Sequence, residues 1–254
     1  NFEVATGDTF EGPITGVVGY SFQNYKIYVP LEDMKKAHQR GKAQPEQTTI
    51  AYDEEKLTIA SYNLENFSNN RANNETPDAK AQKLARAFAK DMNSPDIIGV
   101  TEVEDNNGQQ AGDAKANESY ERLIQEIETA GGVKYEYVNI DPENNKDGGA
   151  PNANIRVGFL YNPERVSLTK GSPHGDATTA VGFKDGKLTH NPGRISPNAA
   201  AFKSSRKPLA AQFDFKGENI IVIANHWNSK RGDTPLFGSK QPPVYSSEKQ
   251  RKEI

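Results

Sequence analysis

Residues 96–103 read DIIGVTEV: Asp96 precedes a short apolar run, and a second acidic side chain, Glu102, lies near its end. An apolar strand of this kind is typical of a sheet that is covered on both faces. Two other apolar runs also end in polar residues, one at Asn63 and one at the pair Asn225 and His226. If the three strands are neighbours, an amide, a carboxylate and an imidazole converge at one rim of the core.

Helix and strand patterns alternate around this run. Thr76 and Pro77 predict the start of a helix, with Thr76 as its N-cap and Pro77 at its first position. The spacing of apolar residues on the inner face of this helix is helical, at Ala81, Leu84, Ala85 and Phe88. A second helix is predicted near 118–130, and further strands at 135–140, 155–161, 209–215 and 220–224. Between them, residues 171–205 predict a long polar loop, which is more often functional or mobile than ordinary. The pattern predicts an α+β fold.

The first fifty residues differ in character. Short β-type runs at 14–18 and 25–29 are punctuated by glycine, and residues 32–47 predict a linker or a short exposed helix. We expect a boundary near residue 50, with the end of a small β module plus a linker at 1–49 and a larger domain at 50–254. The chain opens without Met or a signal-like segment, which indicates a processed or excised piece.

The composition limits which catalytic and metal sites the chain can contain. The 254 residues contain no Cys, which excludes disulfides, thiolate catalysis and Cys-ligated zinc. The net charge of −3 is unevenly distributed: residues 194–254 hold eleven Lys or Arg against five Asp or Glu, a local balance of +6. A basic C-terminal segment on an acidic body is one way to face a polyanion, and chance unevenness of surface charge is the alternative.

Asn63, Glu102 and His226 are residue types that suit the hydrolysis of a phosphodiester. Such a reaction must neutralise charge on phosphoryl oxygens and move a proton, and carboxylate and amide oxygens favour Mg²⁺. Each residue also has a plainer interpretation: a turn residue for Asn63, a cap or ion-pair partner for Glu102, and a structural histidine for His226. Composition and spacing alone therefore indicate only a metal-assisted hydrolase.

Five segments in this order resemble the endonuclease/exonuclease/phosphatase family, which has the DNase I-like fold. They are IASYNLEN (59–66), DIIGVTEV (96–103), VGFLYNPERV (157–166), SRKP (205–208) and IVIANH (221–226). The resemblance covers about residues 56–254. It implies a two-sheet α/β sandwich of DNase I type.

The resemblance also implies roles for particular residues. Asn63 matches the amide near phosphate and metal, Glu102 matches the carboxylate that holds the catalytic ion, and His226 matches one of two active-site histidines. The metal ligands expected are Glu102 and Asn63, with Mg²⁺ as the ion and Ca²⁺ or Mn²⁺ as further candidates. The residues expected to bind substrate are Arg206, Asn225, Asn228 and Lys230.

Exported bacterial nucleases in which such a domain follows OB-like modules are similar in two further segments, GVVGYSFQNY (16–25) and NHWNSK (225–230). This implies a secreted or cell-surface bacterial protein. The chain departs from the family at Asn162, where an arginine is found in mammalian-type DNase I, and at Glu104, where a basic residue is usual. The family's later Asp-x-Asn segment and its Asp-His pair do not occur, so we expect the 254 residues alone not to turn over substrate.

These expectations favour a deoxyribonuclease of low sequence specificity, with DNA as the partner and RNA as an alternative. Two other hypotheses stay open. One is a phosphatase or phospholipase of the same fold, and the other is a non-catalytic binding or adhesion module that keeps the nuclease scaffold.

Overall fold

The computed structural model describes residues 2–22, 24–229 and 246–253. The chain divides into two compact units, with the division after Glu46. In the described part of the chain, every helix is too short or too polar to span a bilayer.

The smaller unit contains short elements. Strand β1 (Thr9–Phe10) pairs with β4 (His38–Gln39), strand β2 (Val17–Ser21) forms a hairpin with β3 (Asn24–Tyr28), and helix α1 (Leu31–Ala37) lies between β3 and β4 in the chain. The Asp8 carboxylate accepts hydrogen bonds from the backbone N–H groups of Ala5 and Gly41, at 2.9 and 2.7 Å, and lies 2.7 Å from His38 Nε2. Helix α1 is the short exposed helix that was one of the two predictions for residues 32–47.

The larger unit contains a mixed four-stranded sheet in the order β5-β6-β8-β7. Its strands are β5 (Ile59–Phe67), β6 (Ile97–Val103), β7 (Glu136–Asn139) and β8 (Arg156–Tyr161). Strand β5 is parallel to β6, and β8 is antiparallel to β6 and β7. Helices α2 (Asp78–Arg86) and α3 (Asn117–Thr129) cover one face of this sheet, where Ile98, Val100 and Leu160 share a core with Leu84, Phe88 and Leu123.

A second sheet covers the other face. It consists of β9 (Ser167–Leu168), β12 (Gly193–Arg194), β13 (Leu209–Phe215) and β14 (Glu218–Ala224), all antiparallel around β13. Ile97, Phe159 and Tyr161 of the first sheet share a core with Leu209, Phe213 and Ala224 of the second. The chain thus has a mixed α+β fold with several sheets. The last described helix is α4 (Ser246–Glu253).

Two local expectations were wrong. Thr76 does not cap α2: its Oγ1 accepts the backbone N–H of Ser68 at 3.2 Å, and Pro77 occupies the N-cap position. Residues 171–205 are not simply a loop, because they contain a small hairpin of β10 (Phe183–Lys184) and β11 (Lys187–Leu188), as well as β12. Buried Arg194 anchors this stretch through an ion pair with buried Asp147 at 2.9 Å.

Two glycines in paired strands provide a test of packing in the first sheet. A Cβ at Gly158 would lie 2.1 Å from the hydroxyl oxygen of Tyr120, whereas a Cβ at Gly99 would lie no closer than 3.6 Å to any neighbour, the nearest being Ala224. The Tyr120 hydroxyl is buried and has no hydrogen-bond partner in the part of the chain that the structure describes, and its ring stacks on Tyr137 at 4.5 Å.

We expect Gly158→Ala to lower the free energy of unfolding by about 1–3 kcal/mol, the usual cost of overpacking. Gly99→Ala is the matched control and should change it by less than about 0.5 kcal/mol. Adding Tyr120→Phe to Gly158→Ala removes the clashing oxygen and should recover part of the loss. Urea denaturation of the four proteins measures this, and additive effects in the double variant would contradict the contact.

Candidate active site

The ends of β5 and β6 leave regular strand geometry at the same place. The parallel pairing holds as far as Asn63 and Thr101, after which the register shifts. Beyond that point Glu65, Asn66 and Glu102 have positive φ angles of 54°, 57° and 60°. Left-handed backbone at residues other than Gly costs on the order of 1–3 kcal/mol each, and such positions cluster at functional sites. The strained backbone turns the Glu102 side chain toward Asn63 and Asn66.

The Glu102 carboxylate is held from three directions. Its Oε1 accepts a hydrogen bond from Asn63 Nδ2 at 2.9 Å and lies 3.3 Å from His226 Nε2. Its Oε2 accepts a hydrogen bond from the backbone N–H of Asn66 at 3.1 Å. The structure therefore brings together the amide, the acid and the imidazole that the sequence places at three strand ends.

The orientation of the Asn63 amide follows from a second contact. The backbone N–H of Glu65 lies 2.8 Å from Asn63 Oδ1. Because a backbone N–H can only donate, the atom facing it must be the oxygen, and the amide nitrogen must face Glu102. Asn63 thus holds the carboxylate in place, and one lone pair of its Oδ1 is left for a further contact.

His226 is positioned by an arginine. Arg206 Nε donates to His226 Nδ1 at 3.2 Å, and since a guanidinium cannot accept, Nδ1 must be the unprotonated nitrogen. The ring proton is therefore on Nε2, facing Glu102. Burial and the positive charge of Arg206 lower the pKa of His226 to about 4, although Glu102 acts in the opposite direction. At neutral pH the ring is uncharged and presents an N–H donor to the site.

Arg206 lies behind His226 and is only 8% exposed. A second guanidinium nitrogen donates to the backbone oxygen of Trp227 at 2.8 Å, and the next residue, Lys207, pairs with buried Asp147 at 3.1 Å. Burial lowers the pKa of Arg206, which the Glu102 and Asp147 charges oppose. These contacts favour a positioning role for Arg206 over direct contact with a ligand.

The remaining predicted binding residues are dispersed. Asn228 Oδ1 accepts a hydrogen bond from Ser205 Oγ at 2.6 Å, and its Nδ2 donates to Gln250, so this side chain ties chain segments together. Asn225 is exposed beside the site, as the residue before His226. Lys230 lies outside the described residues.

The sequence reasoning missed three residues at the site: Asn66, Lys80 and Glu104. Asn66 acts through its backbone N–H, which leaves no trace in a side-chain motif. Lys80 left a signal, because it lies four residues before Leu84 and eight before Phe88, on the apolar stripe of its helix. Glu104 follows Glu102 by two positions and was noted only as a departure from a family pattern.

Glu104 is completely buried, and among the described residues neither oxygen of its carboxyl group has a hydrogen-bond partner. Burial raises the pKa of Glu104 to about 8, and the adjacent Glu75 carboxylate raises it further, while Lys80 opposes the shift. An unpaired buried carboxylate is costly, so the protonated form is the stable one in the folded chain.

The donor atoms of the site can be compared with the ligands that each expected metal prefers. Among the described residues no cluster of three or more His, Asp or Glu side chains could enclose an ion. Glu102, with its side chain 22% exposed, offers one accessible carboxylate. Mg²⁺ usually keeps several waters and is bound through one or two carboxylates, whereas Ca²⁺ takes six to eight oxygen ligands. The residues present fit Mg²⁺ held mainly by Glu102, and Mn²⁺ with similar ligands.

Comparisons with known proteins give distant structural likenesses. The chain is similar to an endonuclease/exonuclease/phosphatase family protein from Leptotrichia buccalis, with a TM-score of 0.40 and 15% identity over 69% of this chain and 55% of that chain. It is also similar to humanised D. rerio TDP2, with a TM-score of 0.36 and 16% identity over 69% of this chain and 49% of the other.

A third similar structure is D. rerio TDP2 complexed with a single-strand DNA product, with a TM-score of 0.34 and 14% identity over 68% of this chain and 46% of the other. The chain spans about half the length of these structures. No protein-family model and no curated protein matches it.

We expect Glu104→Gln to stabilise the chain at high pH. The folded state keeps the Glu104 proton up to a pKa of about 8, whereas the ordinary value is 4.5, so the folded state binds more protons between these limits. Stability must therefore fall as pH rises through that window. Gln stays neutral throughout, and the variant should be more stable by about 1–3 kcal/mol at pH 8, with little difference at pH 5.

Thermal melts in a metal chelator at both pH values test this, with exposed Glu121→Gln as the control. Equal differences at the two pH values would rule out a buried proton on Glu104.

Proposed function

We propose that this chain carries the active site of a divalent-metal-dependent phosphodiesterase of DNase I-like fold that hydrolyses DNA with low sequence specificity. The observation that carries the proposal is the Glu102 carboxylate, fixed by Asn63, Asn66 and His226 at the end of a buried strand. A single oriented carboxylate beside a neutral histidine is an arrangement suited to binding one cation and one phosphoryl group.

The residues divide the chemical tasks. Glu102 would hold the divalent ion, and the ion when bound would supply the positive charge that neutralises phosphoryl oxygens. Asn63 and the Asn66 N–H keep the carboxylate from rotating. His226 presents Nε2–H, and because Nδ1 is engaged by Arg206, the ring keeps that proton until a reacting oxygen replaces Glu102 as its acceptor. The Arg206 charge behind the ring favours an anion in front of it.

DNA is the proposed substrate because residues 194–254 carry the basic excess of the chain and supply His226 and Arg206. Exposed Lys and Arg side chains contact phosphate and sugar, which position a nucleic acid without reading its sequence. Low specificity follows from such contacts. A secreted or cell-surface location is part of the same proposal and is supported by the sequence resemblance.

We expect Glu102→Gln to weaken Mg²⁺ binding by at least about tenfold, because the neutral amide lacks the charge that holds a hard cation. Isothermal titration of the 254-residue chain measures this, and exposed Glu164→Gln is the matched control. Cleavage of plasmid DNA is measured for this chain and for the protein encoded by the complete gene, where Glu102→Gln should reduce turnover by about 100-fold or more.

Unchanged Mg²⁺ binding in Glu102→Gln would contradict the proposed metal site. Efficient cleavage by the 254 residues alone would contradict only our expectation that this chain does not turn over.

Binding of duplex DNA should weaken steeply with salt, by at least about tenfold between roughly 50 and 200 mM NaCl, as expected for two or more phosphate contacts. Fluorescence anisotropy with two unrelated sequences of equal length measures both the slope and the specificity. A panel of plasmid DNA, RNA, inositol phosphates and sphingomyelin then separates the possible substrates. Turnover of the last two alone would assign a phosphatase or phospholipase, and salt-independent binding would contradict a backbone-directed nuclease.

A further inference from the structure

Lys80 lies on the inner side of α2, half-buried, next to the strained end of β5. Its Nζ donates to the backbone oxygen of Glu65 and, at 3.1 Å, to that of Asn66. Burial lowers the pKa of Lys80. The acidic groups of Glu65, Glu104, Glu102 and Glu75 oppose this shift. The ammonium thus bonds to two carbonyl groups in residues 63–67, where the pairing of β5 with β6 shifts register, and we call this segment the bulge.

The peptide unit between Glu65 and Asn66 connects Lys80 to Glu102. Its C=O accepts from the Lys80 ammonium, and its N–H donates to Glu102 Oε2 at 3.1 Å. The C=O and N–H of a trans peptide point in opposite directions, so the two contacts pull on opposite ends of one rigid plane. The peptide dipole is aligned between a cation and an anion, which strengthens both hydrogen bonds.

The conformation of this peptide needs such support. Glu65 and Asn66 both have left-handed φ angles, and Glu is a residue type that rarely adopts them. Without the ammonium, the carbonyl groups of both residues lose their charged partner. The Asn66 N–H would then be free to turn away from Glu102.

We propose that Lys80 is a positioning residue that fixes the Glu65–Asn66 peptide and through it the orientation of the Glu102 carboxylate. This inference rests on the proposed function, because it assigns Lys80 a part in the same metal site. It acts through the bulge and touches neither substrate nor metal.

Replacing Lys80 has two effects on the metal site, one through its charge and one through its hydrogen bonds to the backbone. The Lys80 charge repels a cation on Glu102, so removal of the charge alone raises Mg²⁺ affinity, whereas misorientation of Glu102 lowers it, and kcat is therefore measured at saturating Mg²⁺. Loss of Lys80 should also let the bulge relax and misorient Glu102, which lowers the rate of the chemical step. A purely structural lysine would lower the melting temperature and leave the turnover number of folded protein unchanged.

The test compares Lys80→Met with Lys83→Met, a matched control on the exposed side of the same helix. In the 254-residue chain, hydrogen exchange of the Asn66 amide should accelerate by about tenfold or more in Lys80→Met alone. In the protein from the complete gene, kcat for plasmid cleavage at saturating Mg²⁺ should fall by about 10–100-fold, the usual range for residues that orient a ligand. Lys80→Arg, which keeps charge and donors, should restore part of both.

Unchanged Asn66 exchange, or an unchanged kcat while Glu102→Gln is inactive, would overturn the role of Lys80 and leave the proposed function standing. Active Glu102→Gln would overturn the proposed function itself, and the Lys80 proposal with it. If Lys80→Met does not fold, Lys80→Gln takes its place with the same two measurements, since it keeps an N–H donor on a slightly shorter side chain and removes the charge.

Discussion

The burial of β6 on both of its faces is the interaction on which the rest of the molecule depends. Ile98 and Val100 face the helices, while Ile97 faces the second sheet, as the alternation of side chains in a strand requires. Each such side chain contributes about 1.5–3 kcal/mol by leaving water. Two layers are thereby packed against one strand. The end of that strand lies beside the end of β5 and beside His226, which follows β14, and Glu102 obtains partners from both.

Strain and hydrogen bonding are balanced at this rim. Three residues in left-handed conformation cost stability, and a half-buried lysine, a backbone N–H and an amide compensate by holding the bulge and the carboxylate. Behind the histidine, Arg206 fixes the ring through Nδ1 and is in turn tied to the backbone of Trp227. The carboxylate and the imidazole are therefore each oriented by groups that a ligand need not touch.

The sequence allowed the framework to be predicted and left the details of the rim open. Strands β13 and β14 and helix α3 form within two residues of their predicted bounds, because apolar periodicity reports burial directly. Asn63, Glu102 and His226 could be found because each follows an apolar run of the sequence, although Asn63 and Glu102 lie within β5 and β6 in the structure. The positive φ angles, the Asn66 N–H and the buried proton on Glu104 could not, since each depends on tertiary contacts. Thr76 shows the same limit: a good capping residue was engaged by Ser68 instead.

The left-handed residues also affect how this protein would respond to selection for thermal stability. Glycine or asparagine at positions 65 and 102 would relieve backbone strain, and screens for heat resistance would favour such changes. At position 102 the same change would delete the carboxylate around which the rim is arranged. Selection for thermal stability alone is therefore expected to remove this carboxylate. Position 65 is the safer site for a stabilising substitution, because its side chain is not part of the Glu102 cluster.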